Sequence, residues 1–308
     1  QNEIAAIVYS NIKSGEIPIN DVYTALIGNS VINTEHFSKA KASDTEKNVL
    51  SVFKSRQKTT LGKIKQELTS SPEALNTMSD EVLDEFTYII SMLKDDQVLL
   101  KNEIDTSDSV YQKWKNQKIS PKEYLSYCIT QHWIDISQLN VDEKYADSTE
   151  VYDALCKYIL KNIKTDTEFS KIIYQYMITR GEISPRQLCL ILFDQGVLDY
   201  DDATVNKLKN GSLSPRDFLM KKIYNIEITP AQLALEPCTG SCVVTDEKTG
   251  EILAMVSYPG YDSNKLANGV DSEYFASLQH DKSSPLLNYA TQQKTAPGST
   301  FKLVSATA

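Results

Sequence analysis

The chain has 308 residues, of which 41% are hydrophobic and 24% charged, with a formal net charge of -9. These are ordinary values for a globular protein and exclude wholesale disorder, a collagen-like repeat and a coiled-coil rod. The acidity argues against nucleic acid as a partner, because a grip on phosphates needs a basic face.

Residues 1 to about 235 read as helix after helix, starting with a helix over residues 1–13. The Lys/Glu-rich stretch Lys39 to Lys65 reads as solvated helix face. Asp80 to Leu100 carries Val82, Leu83, Phe86, Ile89, Ile90 and Leu93 at the spacing of one buried stripe. Ser-Pro steps at 120–121, 184–185 and 214–215 each offer Ser as N-cap and Pro at the first helical position. Glu150 to Ile163 repeats the stripe with Val151, Leu155, Tyr158, Ile159 and Ile163. The apolar run Leu188 to Phe193 is of core-helix length, and no run approaches the roughly 20 residues of a membrane helix. Thr229-Pro230 is a weaker start signal. Asn29–Asn33, His132–Asp135 and Gln195–Asp199 close helices on similar turns. Either the chain holds a degenerate helical repeat or good caps recur by chance, and chance is the simpler reading.

After Pro237 the pattern changes. Ser241 to Asp246 and Glu251 to Ser257 read as two strands joined by the turn Glu247-Lys248-Thr249-Gly250, a hairpin. Tyr258 to Asn264 is a loop. Thr295-Ala296-Pro297-Gly298 then leads into a helix from Ser299. The chain begins at Gln1 and stops at Ala308 inside that helix, with no signal peptide at its start, so we expect it to be part of a longer protein.

The five cysteines are too few for a disulfide scaffold. Cys128, Cys156 and Cys189 sit on apolar helical patterns and read as core. Cys238 and Cys242 lack a nearby Cys/His pair, and the three histidines are scattered, so neither a metal nor a cofactor is expected.

Ser299 and Lys302 lie three apart, one turn of a helix. Serine is a poor nucleophile unless a base takes its proton. A lysine at the positive end of a helix, partly removed from water, can be that base. The helix start also aims the Ser299 N–H at a developing oxyanion. Ser-x-x-Lys alone says little, since it occurs six times here. Ser51-Val52-Phe53-Lys54 even resembles Ser299-Thr300-Phe301-Lys302, but it lies in a charged amphipathic stretch. Context singles out Ser299.

That context carries a resemblance. Thr249 to Pro259, then Asp262 and Asn264, then Asn288-Tyr289-Ala290-Thr291, then Pro297-Gly298-Ser299-Thr300-Phe301-Lys302 resemble the transpeptidase domain of class B penicillin-binding proteins, bacterial D,D-transpeptidases that cross-link peptidoglycan. The match spans roughly residues 236–308. The resemblance implies an α+β fold: a truncated penicillin-recognising domain, of the β-lactamase-like kind, interrupted by a large all-α insertion. Residues 1–13 would be the domain's first helix, 14–230 an insertion like that of some clostridial members, and 231–308 the N-terminal part of the domain. It also implies Ser299 as the nucleophile and Lys302 as the acylation base. Peptidoglycan stem peptides and β-lactams would be the partners, with cell-wall synthesis proteins as further candidates. The location would be the extracytoplasmic face of the bacterial plasma membrane, with the anchor outside this chain.

The family also uses Ser-x-Asn and Lys-Thr/Ser-Gly after the first motif. No Ser-x-Asn occurs here, and Lys248-Thr249-Gly250 precedes Ser299 in a turn. Those motifs are expected beyond Ala308, and the 308 residues alone are expected to be inactive. Competing readings are a β-lactam sensor or class D-like β-lactamase, and a helical interaction scaffold with an inactive transpeptidase remnant.

Overall fold

The computed structural model describes residues 2–307 except 71–72, 140, 142–145, 236–238, 259, 268–273, 276–277, 280–283 and 295–297. The chain forms two compact units, Gln1–Leu233 and Ala234–Ala308.

The first unit is helical: α1 (Asn2–Ser14), α2 (Ile19–Gly28), α3 (Asp44–Thr69), α4 (Asp80–Asp95), α5 (Ser109–Lys115), α6 (Pro121–Thr130), α7 (Ser148–Ile163), α8 (Thr167–Thr179), α9 (Pro185–Asp194), α10 (Asp202–Asn210) and α11 (Pro215–Tyr224). α3 is the long central helix, contacted by α6, α7, α8 and α9, while α2 packs on α8. The N-terminal helix, expected to belong to the transpeptidase domain, lies in this unit, where α1 packs on α11.

The Ser-Pro starts act as their chemistry dictates. Ser120, Ser184 and Ser214 cap α6, α9 and α11, their hydroxyls accepting from Glu123 N at 3.1 Å, Gln187 N at 3.3 Å and Asp217 N at 3.0 Å. At Thr229-Pro230 the reciprocal bonds between Thr229 and Gln232 form, yet a turn follows instead of a helix among the described residues.

The helix ends settle the choice between repeat and chance. Gly181, Gly196, Gly211 and Ile226 all have φ between 60° and 82°, and they are spaced fifteen residues apart. Gly15 and Ser30, and Gln117 and His132, repeat the spacing. Two residues after such a turn comes Ile32, Ile119, Ile134, Ile183, Leu198 or Ile228, all buried. Its amide often reaches back six residues, as in Leu198 N to Leu192 O at 3.1 Å and Ile228 N to Lys222 O at 3.3 Å. These are left-handed helix stops with the accompanying apolar contact. A cap residue then follows directly at Ser120, Asp135, Ser184 and Ser214. Stop, apolar plug and start thus form one recurring joint.

The apolar stripe of α4 is buried at Phe86, Ile89, Ile90 and Leu93, but at its start Val82 and Leu83 are half-buried while Glu81 and Glu85 are buried beside it. Cations make this tolerable. Arg56 on α3 donates to both Glu81 oxygens at 2.7 and 3.0 Å, and Arg180 donates to the same carboxylate at 2.5 Å. Nor is Lys39 to Lys65 solvated throughout. Glu46 is buried, completing a capping box with Ser43 and accepting from Gln195 Nε2 at 2.7 Å. Those hydrogen bonds, opposed by burial, leave its carboxyl below the usual range. Its signal was present in the Ser-x-x-Glu spacing. Cys128, Cys156 and Cys189 are buried, Cys242 is exposed, and Cys238 lies outside the described residues.

The second unit holds a two-stranded antiparallel sheet, β1 (Gly240–Thr245) and β2 (Ile252–Tyr258), with Gly240 opposite Tyr258 and Val243 opposite Met255. Asp246 closes the turn, accepting from Lys248 N and Thr249 N at 2.8 Å each, while Gly250 takes φ +75°. Apolar side chains on both sheet faces stay exposed, among them Val243, Val244, Leu253 and Val256. Among the described residues two short α-helices follow, α12 (Tyr289–Gln292) and α13 (Lys302–Thr307).

Candidate active site

Ser299 lies in a 3-10 turn over Gly298–Phe301, and Lys302 is the first residue of α13. The expected α-helix thus starts three residues late, behind a tighter turn of the kind common at helix N-termini. Ser299 lies inside that turn and Lys302 directly after it. Pro297 lies outside the described residues. Ser299 and Lys302 are both exposed, as are Phe301 and Val304 beside them. The removal from water that would make a lysine a base is not supplied by the described residues.

Other segments of the predicted constellation come together around the hairpin. Ser257 on β2 donates to Asn288 Oδ1 at 3.3 Å, and its oxygen accepts from Ala290 N, also at 3.3 Å. This ties the Asn288-Tyr289-Ala290-Thr291 segment to the sheet, and α12 packs against both strands. Asp262 caps the turn Ser263–Lys265, its carboxylate accepting from Asn264 N at 3.0 Å, while its own N–H donates to the Tyr274 hydroxyl at 2.8 Å. Lys265 sits over the Tyr274 ring, 4.6 Å from its centre. Asp262 and Asn264 are therefore fixed by a tyrosine that the sequence analysis did not single out. No periodicity marks Tyr274, since a phenol taking one amide hydrogen across a loop leaves no spacing signal. Lys248-Thr249-Gly250 occupies the hairpin turn. Among the described residues no cluster of three or more His, Cys, Asp or Glu could hold a metal ion.

What this arrangement offers chemically is a serine hydroxyl on a tight turn, a lysine three residues later, and a hairpin that anchors the Asn288-Tyr289-Ala290 segment. Comparison with known proteins points the same way. Residues 240–308 match the penicillin binding protein transpeptidase domain. The chain is 45% identical over 75 residues to peptidoglycan D,D-transpeptidase PbpA of Mycolicibacterium smegmatis, covering 23% of this chain and 15% of that protein. It is 47% identical over 60 residues to peptidoglycan D,D-transpeptidase MrdA of Escherichia coli K12, covering 20% and 10%. To MrdA of Acinetobacter baumannii it is 34% identical over 90 residues, covering 29% and 13%. The chain thus spans only a small fraction of the length of these relatives. No solved structure matches it. Over residues 240–308, then, the chain is similar to the transpeptidase domain of penicillin binding proteins, and the relatives it resembles are peptidoglycan D,D-transpeptidases.

Proposed function

We propose that this chain is part of a penicillin-binding D,D-transpeptidase of class B that cross-links peptidoglycan through an acyl-serine. The observation that carries this is the match over residues 240–308, which takes in Ser299 and Lys302. In this reading Lys302 acts as a neutral amine and takes the proton of Ser299 Oγ. Oγ bonds to the carbonyl carbon of the penultimate D-Ala of a stem peptide. The tetrahedral intermediate collapses, its C–N bond breaks, and the leaving D-Ala amine carries away the proton. The amine of a second stem then attacks the ester carbonyl, Ser299 regains its proton, and an amide cross-link results. A β-lactam enters by the same first step, and its opened ring stays attached to Oγ.

In this reading acylation also needs Ser-x-Asn and Lys-Thr/Ser-Gly after Ser299, an oxyanion-hole strand, and a wall that keeps Lys302 from water, none of which the described residues supply. Residues 231–308 are the N-terminal part of the transpeptidase domain, 1–13 its first helix and 14–230 a helical insertion of the clostridial type. The enzyme works at the extracytoplasmic face of the bacterial plasma membrane.

The test is intact mass with peptide mapping after incubation with benzylpenicillin, on the full-length protein and on these 308 residues. A stable adduct on Ser299 of the full-length protein is expected, and Ser299→Ala should remove it while circular dichroism is retained. Lys302→Ala should lose most of the labelling. Unchanged labelling of the Ser299→Ala protein would defeat the assignment.

A further inference from the structure

Asn288 stands at the N-cap of α12. Asparagine is among the best residues there, because its side-chain oxygen can accept from the second or third amide of the helix. Asn288 makes no such bond. Its Oδ1 accepts from the Ser257 hydroxyl on β2 at 3.3 Å, and it is Ser257 Oγ that accepts from Ala290 N, the second amide of α12, also at 3.3 Å. The strand therefore supplies the cap that the helix's own asparagine leaves unmade. Ser257 is also the one position along β2 that is not exposed.

This exchange makes the start of α12 depend on the sheet. A helix of 4 residues does not hold its shape in water by itself, so α12 keeps it through what it touches. It packs against both strands, with Tyr289 buried, and closes internally through Gln292 N to Asn288 O at 2.9 Å. Among the described residues α12 is the last helix before the turn that carries Ser299, with only Gln293 to Gly298 between them.

We propose that Ser257 is a positioning residue for the acylation of Ser299: capping α12 from the strand, and itself oriented by Asn288, it fixes where the chain leaves the sheet toward the nucleophile. The inference rests on the reading of Ser299 as the acylated serine. Ser257 acts through α12 and not on the reacting atoms. Its proton goes to Asn288, which turns its oxygen toward Ala290 N, so the two bonds work as one unit. A nucleophile displaced by about 1 Å can lose on the order of 100-fold in rate. Both bonds are long for a hydroxyl, so cutting them should displace the segment less, and the expected loss is about tenfold.

The experiment follows a fluorescent penicillin on the full-length protein by stopped flow, which separates the affinity of the initial complex from the rate of acylation. Hydrogen exchange of the peptide containing Ala290 reads the tie itself. Ser257→Ala should slow acylation about tenfold, with initial affinity and Tm unchanged, and should speed exchange at Ala290. Ser257→Thr keeps the hydroxyl and should restore both. Asn288→Asp keeps the acceptor and should acylate close to the unsubstituted rate, whereas Asn288→Leu should be slowed. Joining Ser257→Ala to Asn288→Leu should add little to either alone, because the two bonds share one hydroxyl. Acylation of Ser257→Ala at the unsubstituted rate, or slowing without faster exchange at Ala290, would overturn the proposal and leave Ser299 as the acylated residue. So would a slowing that follows a fall in Tm, or one that threonine does not rescue. A full-length protein that takes no label on Ser299 would overturn the functional reading and this inference together.

Discussion

The helical unit and the C-terminal unit differ in how completely each satisfies itself. In the first, Phe169, Ile173, Leu192 and Ile223 are fully buried, and the helices carry side-chain caps at most of their starts. In the second, Val256 is 57% exposed and Leu253 64%, although both stand on a paired hairpin strand. Local chemistry is enough to form that hairpin, since Asp246 and Gly250 fix its turn and the run Val243-Val244-Thr245 favours extended backbone. It does not bury it. An apolar two-stranded sheet exposed on both faces is the form expected of a piece whose cover comes from elsewhere.

The largest test of that contrast is paired truncation. Phe169→Ala should lower the unfolding free energy by about 3–5 kcal/mol, because Phe169 is completely buried beside Tyr88. Val256→Ala should change it by less than about 0.5 kcal/mol. Urea unfolding followed by Trp114 and Trp133 fluorescence and by circular dichroism reads both. A Val256→Ala cost approaching that of Phe169→Ala would end the contrast.

Next in size is the buried carboxylate pair. Burial, with the Glu81 carboxylate one turn away, pushes the Glu85 carboxyl up to about 8, against the opposing pull of Arg56, Lys63 and Arg180. A raised pKa means that the folded state holds the proton more tightly than the unfolded chain. Its contribution is therefore fully present below pH 4.5 and is lost as pH rises toward 8, at about 1.4 kcal/mol per unit over the titrated window. Glu46, shifted the other way, acts only on the acid side. Chemical denaturation across pH 5–8 should show stability falling, and Glu85→Gln should flatten the curve. A parallel slope in Glu85→Gln would assign it to other groups. The hairpin side chains are exposed, and Asp246, the one shifted group of its turn, is held low by backbone N–H groups, so no matching loss over this window is expected from the second unit.

What was legible in the sequence follows the range of the interactions. Caps, the hairpin turn and three core cysteines were readable because Ser-Pro, Asp-x-x-x-Gly and apolar spacing act within a few residues. The fifteen-residue joint was visible and undervalued, since Gly, Ser, Gln, His and Ile all serve in its left-handed position and no single residue type marks every copy. The burial of Glu81 and Glu85 on α4 was not legible. Burying Glu81 depends on Arg56 and Arg180, which lie 25 and 99 residues away along the chain. At the candidate site the order of segments pointed to Ser299 and Lys302, while the tie from Ser257 to Asn288 spans 31 residues and needed coordinates.

Of the cap predictions, Ser184→Ala should cost about 1 kcal/mol, since Gln187 N would lose its acceptor at the start of α9. The cost should appear in the same urea curves and leave the hairpin untouched.

Gly62→Ala has a small effect of the opposite sign. Alanine loses less backbone entropy on folding than glycine and is the better helix former, and the added methyl at position 62 meets open space. The unfolding free energy should therefore rise by about 0.5–1 kcal/mol. A protein under pressure for stability alone would have little reason to keep glycine there. If the substitution instead destabilises, the open space over α3 is filled in solution, the helical unit is less self-contained than its buried core implies, and the contrast between the two units narrows.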